Sequence, residues 1–291
     1  MPSIFLTVLI LLDYMGMAIV IVLFPSLFLN LDSSILPIEF SHTTRLTILG
    51  LFLAIYPLGQ FFGASLFGKL SDYKGRRNML LVTIGGTLVG FILSGIAISF
   101  KSYELLFISR LLTGLCAGNV AVAQASLADI SKDDAMRAKN VTLGQVAMGS
   151  GYIVGPLLGS LFNSSFISWF DNSTPFWFFS ILLAMMFLIA VFFYKETLKT
   201  PKYNKINLLE GVGQIKQALI GSSLRGYFLI WLIFVSGWWL FESYFPTFMF
   251  QAFHFDTTQI GFVLAFNGTL YSLFQYGVVR KLTPILSAAQ M

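Results

Sequence analysis

Apolar residues in this chain come in blocks of about 20 positions, apolar on every side and separated by short polar stretches. An α-helix needs about 20 residues to cross a hydrocarbon core about 30 Å thick, so the blocks predict membrane-spanning helices. Eight are expected, at residues 4–29, 46–67, 79–100, 104–127, 141–162, 176–194, 226–250 and 260–279. Alternation with a period of two residues is absent, which argues against a transmembrane β-barrel. The first block runs past Asp13 without a small-residue cleavage site, so it reads as a retained span and not a signal peptide.

Composition agrees with this pattern. Only 11% of the 291 residues are charged and 56% are hydrophobic, with a mean hydropathy of +0.80; a soluble domain carries about a quarter charged residues. The formal charge of +5 raises nucleic acid as a partner, but the basic residues sit in short loops between apolar blocks. That is orientation charge and not a phosphate-binding face. Cys116 is the single cysteine, so no internal disulfide is possible.

Loop charge then sets the topology. Fifteen of the 18 basic residues fall after even-numbered spans, in groups beginning at Lys69, Lys132, Lys195 and Arg280. Positive charge is retained on the cytoplasmic side, which places these loops and the N-terminus in the cytoplasm of a multi-pass protein of the inner (plasma) membrane. The partner implied is the lipid bilayer.

The connection 195–225 is rich in lysine and contains Pro201. It divides the chain into a six-helix bundle (1–194), a cytoplasmic linker (195–225) and a partial second bundle (226–291), with an amphipathic surface helix expected at 207–219. An internal echo crosses the linker. Asp13 precedes Phe24-Pro25 in the first span as Glu242 precedes Phe245-Pro246 in the seventh, and Gly50-Leu-Phe-Leu-Ala54 of the second matches Gly261-Phe-Val-Leu-Ala265 of the eighth. Such echoes support a two-fold repeat, although chance matches between apolar helices are common.

Three motifs carry more specific chemistry. Gly68-x-x-x-Asp72-x-x-Gly75-Arg76-Arg77 follows the second span; its glycines allow a close helix approach and a tight turn, and the bland alternative is a generic basic loop. Arg110-x-x-x-Gly114-x-x-x-Gly118 lies along one face of the fourth span. A guanidinium at membrane depth must face protein or water, or else snorkel to the outer interface, the alternative here. Gly151-x-x-x-Gly155-Pro156-x-x-Gly159 in the fifth span combines small residues for close packing with a proline bend.

With these motifs the chain resembles the major facilitator superfamily, most closely its twelve-helix drug/proton antiporters of the tetracycline and multidrug efflux type. The resemblance implies an all-α polytopic fold with a complete six-helix N-terminal bundle and the first two helices of a C-terminal one. It implies that Asp72, Arg76 and Arg77, joined by Asp129, form a cytoplasmic charge cluster latching the two halves. A solvated loop acid is the alternative for Asp129. It links Arg110 to proton transfer and the Gly151–Gly159 motif to antiport. Departures are Tyr73 where a basic residue is usual, Thr113 for glutamine, Ser160 for the last glycine, and Thr142 at the motif's distal first position. Residues 283–291 are too short and polar for a ninth span, so a fragment or C-terminal truncation is expected, with transport needing the missing half or a second chain.

Asp13 and Glu242 are the carboxylates lying well inside spans. An ionised carboxylate is costly to bury without a cation, so its charge becomes coupled to conformation. One or both are expected to carry the transported proton. For Asp13 the alternative is structural pairing; for Glu242, with Trp238, Trp239 and Tyr244 nearby, it is a cation- or aromatic-binding wall. Tyr14, Tyr56, Gln60, Asn119, Gln124, Gln145, Met148 and Trp238, with Asn267 and Gln275, are candidates to line a substrate cavity or merely to bridge helices. His42 and His254 lie in outer loops and make no metal site. The sequons at Asn163 and Asn172 carry no meaning in a bacterial protein. No nucleophile elbow or phosphate loop is visible, so no enzyme and no cofactor is expected. The function expected is proton-coupled export of small hydrophobic or cationic compounds by alternating access; the alternatives are a sugar or metabolite symporter or facilitator, or a non-transporting remnant.

Overall fold

A computed structural model describes residues 2–31, 34–162, 170–198, 200–201, 210–220 and 225–274. Among these the chain forms ten helices and no strand: α1 (Pro2–Leu29), α2 (His42–Lys74), α3 (Arg76–Ser99), α4 (Tyr103–Cys116), α5 (Asn119–Asp129), α6 (Asp134–Phe162), α7 (Thr174–Phe193), α8 (Glu210–Ile220), α9 (Arg225–Ala252) and α10 (Thr257–Phe274). With α4 and α5 taken together as Tyr103–Asp129, seven stretches are long and apolar enough to cross a membrane. The eighth expected span forms a helix, α10, but is not among the seven. It opens on polar Thr257-Thr-Gln259 and carries Asn267, and residues 275–279 lie outside the described part.

Side-chain caps fix several helix starts. Ser41 accepts from the Thr44 N–H at 3.2 Å and Ser102 from that of Leu105 at 3.2 Å. Asp133 accepts from the Met136 N–H at 2.7 Å, which starts α6 well before the expected residue 141. Asp256 and Gln259 cap each other's backbone N–H reciprocally at 3.0 and 2.7 Å, a capping box at the head of α10. The expected linker helix appears as α8, with 207–209 outside the described residues.

Two further boundaries differ from expectation. The fourth span is broken after Cys116, where the Ala117 N–H bonds to the carbonyls of both Thr113 and Gly114; Gly118, just beyond, lies against the Gly63 carbonyl of α2. The second span continues to Lys74, so Gly68 and Asp72 lie on helix and the turn before α3 shrinks to Gly75.

The core is built around α1, which is buried along nearly its whole length. Its most extensive neighbour is α6, and α6 in turn packs against α10. Small residues permit both contacts. A Cβ on Gly151 would lie 2.8 Å from the Leu11 carbonyl oxygen, and one on Gly155 2.7 Å from that of Met15. On the adjoining face of α6, Gly261 of α10 meets the Pro156 carbonyl and Ser160. Ser160, where the motif's last glycine would stand, therefore fits only because Gly261 faces it. Gly50, the echo of Gly261, is likewise a contact point, against the Tyr244 hydroxyl of α9.

Contacts of α9 with α1 and α2 lie in its second half. Met249 packs with Val22 and Ile260, and Gln251 meets His42 at 3.1 Å. Its first half, including Tyr227, Phe228, Ile230, Trp231 and Phe234, is exposed. The described packing of α9 against α1 and α2 thus lies at the end holding His42.

Replacing Gly155 by Val would force the α1–α6 backbones apart. Overpacking of this kind costs about 1–3 kcal/mol, so the thermal unfolding midpoint of purified G155V in detergent is expected to drop by several degrees, whereas an unchanged midpoint would contradict the contact.

Candidate functional site

At the α2–α3 turn, Arg76 is the centre of a charge cluster. Its guanidinium is 2.7 Å from the Asp72 carboxylate and 2.8 Å from that of Asp129, and it also donates to the Ser71 hydroxyl. Helices α2, α3 and α5 meet there. Asp129, expected either to join this cluster or to be a solvated acid, joins it. Gly75 adopts φ 95°, which an L side chain takes only with strain, so one of the two motif glycines makes the tight turn. The other, Gly68, faces open space, and no helix approaches it. Its expected close packing is absent among the described residues.

Arg77 does not join the cluster as expected. It donates to the backbone carbonyls of Tyr194 (2.8 Å) and Val191 (2.6 Å), at the C-terminus of α7. Sequence reasoning also missed Glu196. Its carboxylate accepts from the backbone N–H groups of Arg76 (2.9 Å) and Arg77 (3.1 Å). The unpaired amides and dipole of a helix N-terminus favour an anion in this position, so Glu196 caps α3 from 120 residues away. A carboxylate just past the end of an apolar span, opposite a basic turn, is the signal that could have found it. None of these contacts reaches α9 or α10, so the cluster binds parts of the first six spans to one another.

Arg110 is 2% exposed and does not snorkel to an interface. It donates to the Ser94 hydroxyl at 2.8 Å and to that of Thr113 at 3.4 Å. The guanidinium carbon lies 5.1 Å from the Phe91 ring centre and 5.6 Å from that of Phe176, so two aromatic faces take the place of a carboxylate. Its Nε has no partner.

Asp13 is 8% exposed. Tyr56 and Asn119 face its carboxyl, but both polar atoms of the Asn119 amide lack a formed hydrogen bond. No cation pairs with Asp13 among the described residues. Tyr56 and Arg110 together line a small cavity of about 40 Å³ with Trp239 and Ser243, beside the Asp13 cluster.

A larger cavity, about 470 Å³, lies between α6, α9 and α10. Glu242, Trp238, Trp239, Tyr152 and Asn267 line it, and a narrower extension reaches Pro156 and Phe245. Of the residues expected to line a cavity, Trp238, Tyr56 and Asn267 do so. Tyr14 stacks on Tyr152 with ring centres 5.4 Å apart. Gln124 and Gln145 are exposed, Gln60 and Met148 half-buried, and none of these four is placed on the cavities described above. Gln275, Arg280, Lys281 and the Asn163 sequon lie outside the described residues. No group of His, Cys, Asp or Glu able to hold a metal occurs among the described residues.

Residues 6–288 match the model of the Major Facilitator Superfamily. The chain belongs to this superfamily. Its members are transporters and not enzymes, in keeping with the buried charges and helical packing above. The chain is 30% identical over 288 residues to the class H tetracycline resistance protein of Pasteurella multocida, covering 93% of this chain and 64% of that one. Among solved structures, the human organic anion transporter MFSD10 (TETRAN) matches with a TM-score of 0.69 at 20% identity, over 97% of this chain and 72% of that one. The D-xylose–proton symporter matches with 0.70 at 17%, over 97% and 68%. At these identities the two structures attest the superfamily fold alone. The chain spans 53% to 68% of the length of the curated relatives it matches.

Glu196→Ala removes the acceptor of two α3 N–H groups. Loss of such a cap costs about 1 kcal/mol, so the Arg76 and Arg77 amides are expected to exchange hydrogen roughly fivefold faster in mass-spectrometric exchange. Unchanged protection would exclude the capping role.

Proposed function

We propose that the chain is the greater part of a proton-coupled secondary transporter of the inner membrane that exports small hydrophobic or cationic compounds by alternating access. The observation that carries this reading is Asp13: a carboxyl buried among Tyr56 and Asn119 with no cation beside it. In such a setting the neutral acid is tolerated and the ionised form calls for water or for a conformational change. Proton binding and helix movement are then one event. Arg110 supplies the fixed positive charge nearby, across the Tyr56 cavity.

Likeness to tetracycline resistance proteins and the Gly151–Gly159 face, which binds α6 to α1, support export over uptake. The even-numbered loops and the Asp72–Arg76–Asp129 cluster are assigned to the cytoplasm, with the cluster holding the gate loop in shape. The boundary between the two bundles is placed in the 195–225 connection.

Proteoliposomes holding the full chain, loaded with ethidium and given an imposed proton gradient, test the coupling. Gradient-driven ethidium movement is expected in the parent chain, and Asp13→Asn is expected to reduce it to background while ethidium binding persists. Undiminished gradient-driven movement in D13N would remove Asp13 from the coupling role.

A further inference from the structure

Arg110 is a buried cation without a counter-ion. Both of its hydrogen bonds, to Ser94 and Thr113, leave from one terminal nitrogen, and its Nε has no partner. No carboxylate lies within ion-pair distance of it among the described residues; Asp13 faces Tyr56 instead. The Phe91 and Phe176 ring faces attract the guanidinium but do not neutralise it. A buried lysine or carboxyl can lower the cost of burial by becoming neutral. Arginine keeps its proton in a protein, so its charge has to be offset from outside.

The guanidinium borders the small cavity between α1, α2, α4 and α9. Three other lining residues carry a hydrogen-bond donor: Tyr56 and Ser243 a hydroxyl, Trp239 an indole N–H. Apolar side chains such as Met17 and Phe52 make up the rest of the wall, and no acid lines it. The volume is about 40 Å³. A water molecule's share of the liquid is about 30 Å³, so the cavity takes one or two particles of that size and no organic ligand.

We infer that this cavity binds a single small monovalent anion of the halide class, with Arg110 as counter-charge and Ser243 and Trp239 as donors. One unpaired positive charge in a low-dielectric cavity attracts one negative charge. A halide accepts hydrogen bonds from any direction, so it suits donors carried by separate helices and tolerates apolar surface on its remaining sides. Sulfate and phosphate bring more bulk and charge than one guanidinium and this volume accommodate. The bound ion links α9 to α2 and α4 through Ser243, Tyr56 and Arg110. This cavity shares only Trp239 with the larger one, and its occupancy does not depend on the proton-coupled reading.

Equilibrium dialysis of radioactive chloride against the purified full chain, in sodium gluconate free of other halides, tests this. One saturable chloride per chain is expected, displaced by bromide and not by the bulky gluconate. Arg110→Gln is expected to abolish the binding. Ser243→Ala and Trp239→Phe each remove one donor to a charged acceptor while keeping Arg110, and each is expected to weaken chloride binding about tenfold. Absence of saturable chloride binding by the parent chain would overturn the inference, leaving water as the occupant. Binding that is unchanged in both Ser243→Ala and Trp239→Phe would also overturn it, whether or not the Arg110→Gln protein folds, because the chloride would then sit elsewhere.

Discussion

Close approach of α6 to α1 is the contact on which the rest of the structure depends. Backbones can meet there only because Gly151 and Gly155 have no side chain to keep them apart. In a bilayer, lipid tails are as apolar as leucine, so close packing has to replace the hydrophobic effect as the force holding helices together. The same helix meets α10 through Gly261 on its other flank. Held on both sides, α6 presents Tyr152 to the cavity that Glu242 and the two tryptophans complete. The site is thus a by-product of how one helix is gripped.

Buried charge is handled in three distinct ways. Arg76 is paired twice with carboxylates and sits where helices end. Arg110 has no carboxylate and relies on hydroxyls and ring faces. Asp13 has no cation beside it, and the Asn119 amide facing it forms no hydrogen bond. Full pairing fixes a geometry, whereas incomplete pairing leaves a group whose charge can change at tolerable cost. The degree of pairing therefore separates what holds shape from what can respond.

Much of this was legible in the sequence, because the bilayer imposes length and hydropathy on each span and the loops carry the charge. The motif glycines announced the turn, and the family resemblance implied the cluster of Asp72, Arg76 and Asp129. Contacts between distant segments were not legible. Glu196 caps a helix 120 residues away, and Arg77 turns from the carboxylates to the α7 carbonyls; nothing local dictates either. Gly68 and Gly75 look alike in the motif, yet only one has a neighbour or an unusual φ. Gln124 and Gln145 lie off the two cavities described, because polarity within a span does not say which way the residue faces. The break after Cys116 was hidden for a related reason: Gly118 is shaped by the opposing Gly63 and not by its own sequence context.

The Glu196 cap also has a mechanical meaning. Two arginine amides grip its carboxylate while the next guanidinium grips the carbonyls of Val191 and Tyr194, so the start of α3 and the end of α7 are riveted at two points. A single pin would let one rod swivel about the other; two prevent it. A rotation of the α2–α3 turn is therefore passed to the end of α7 with little slack.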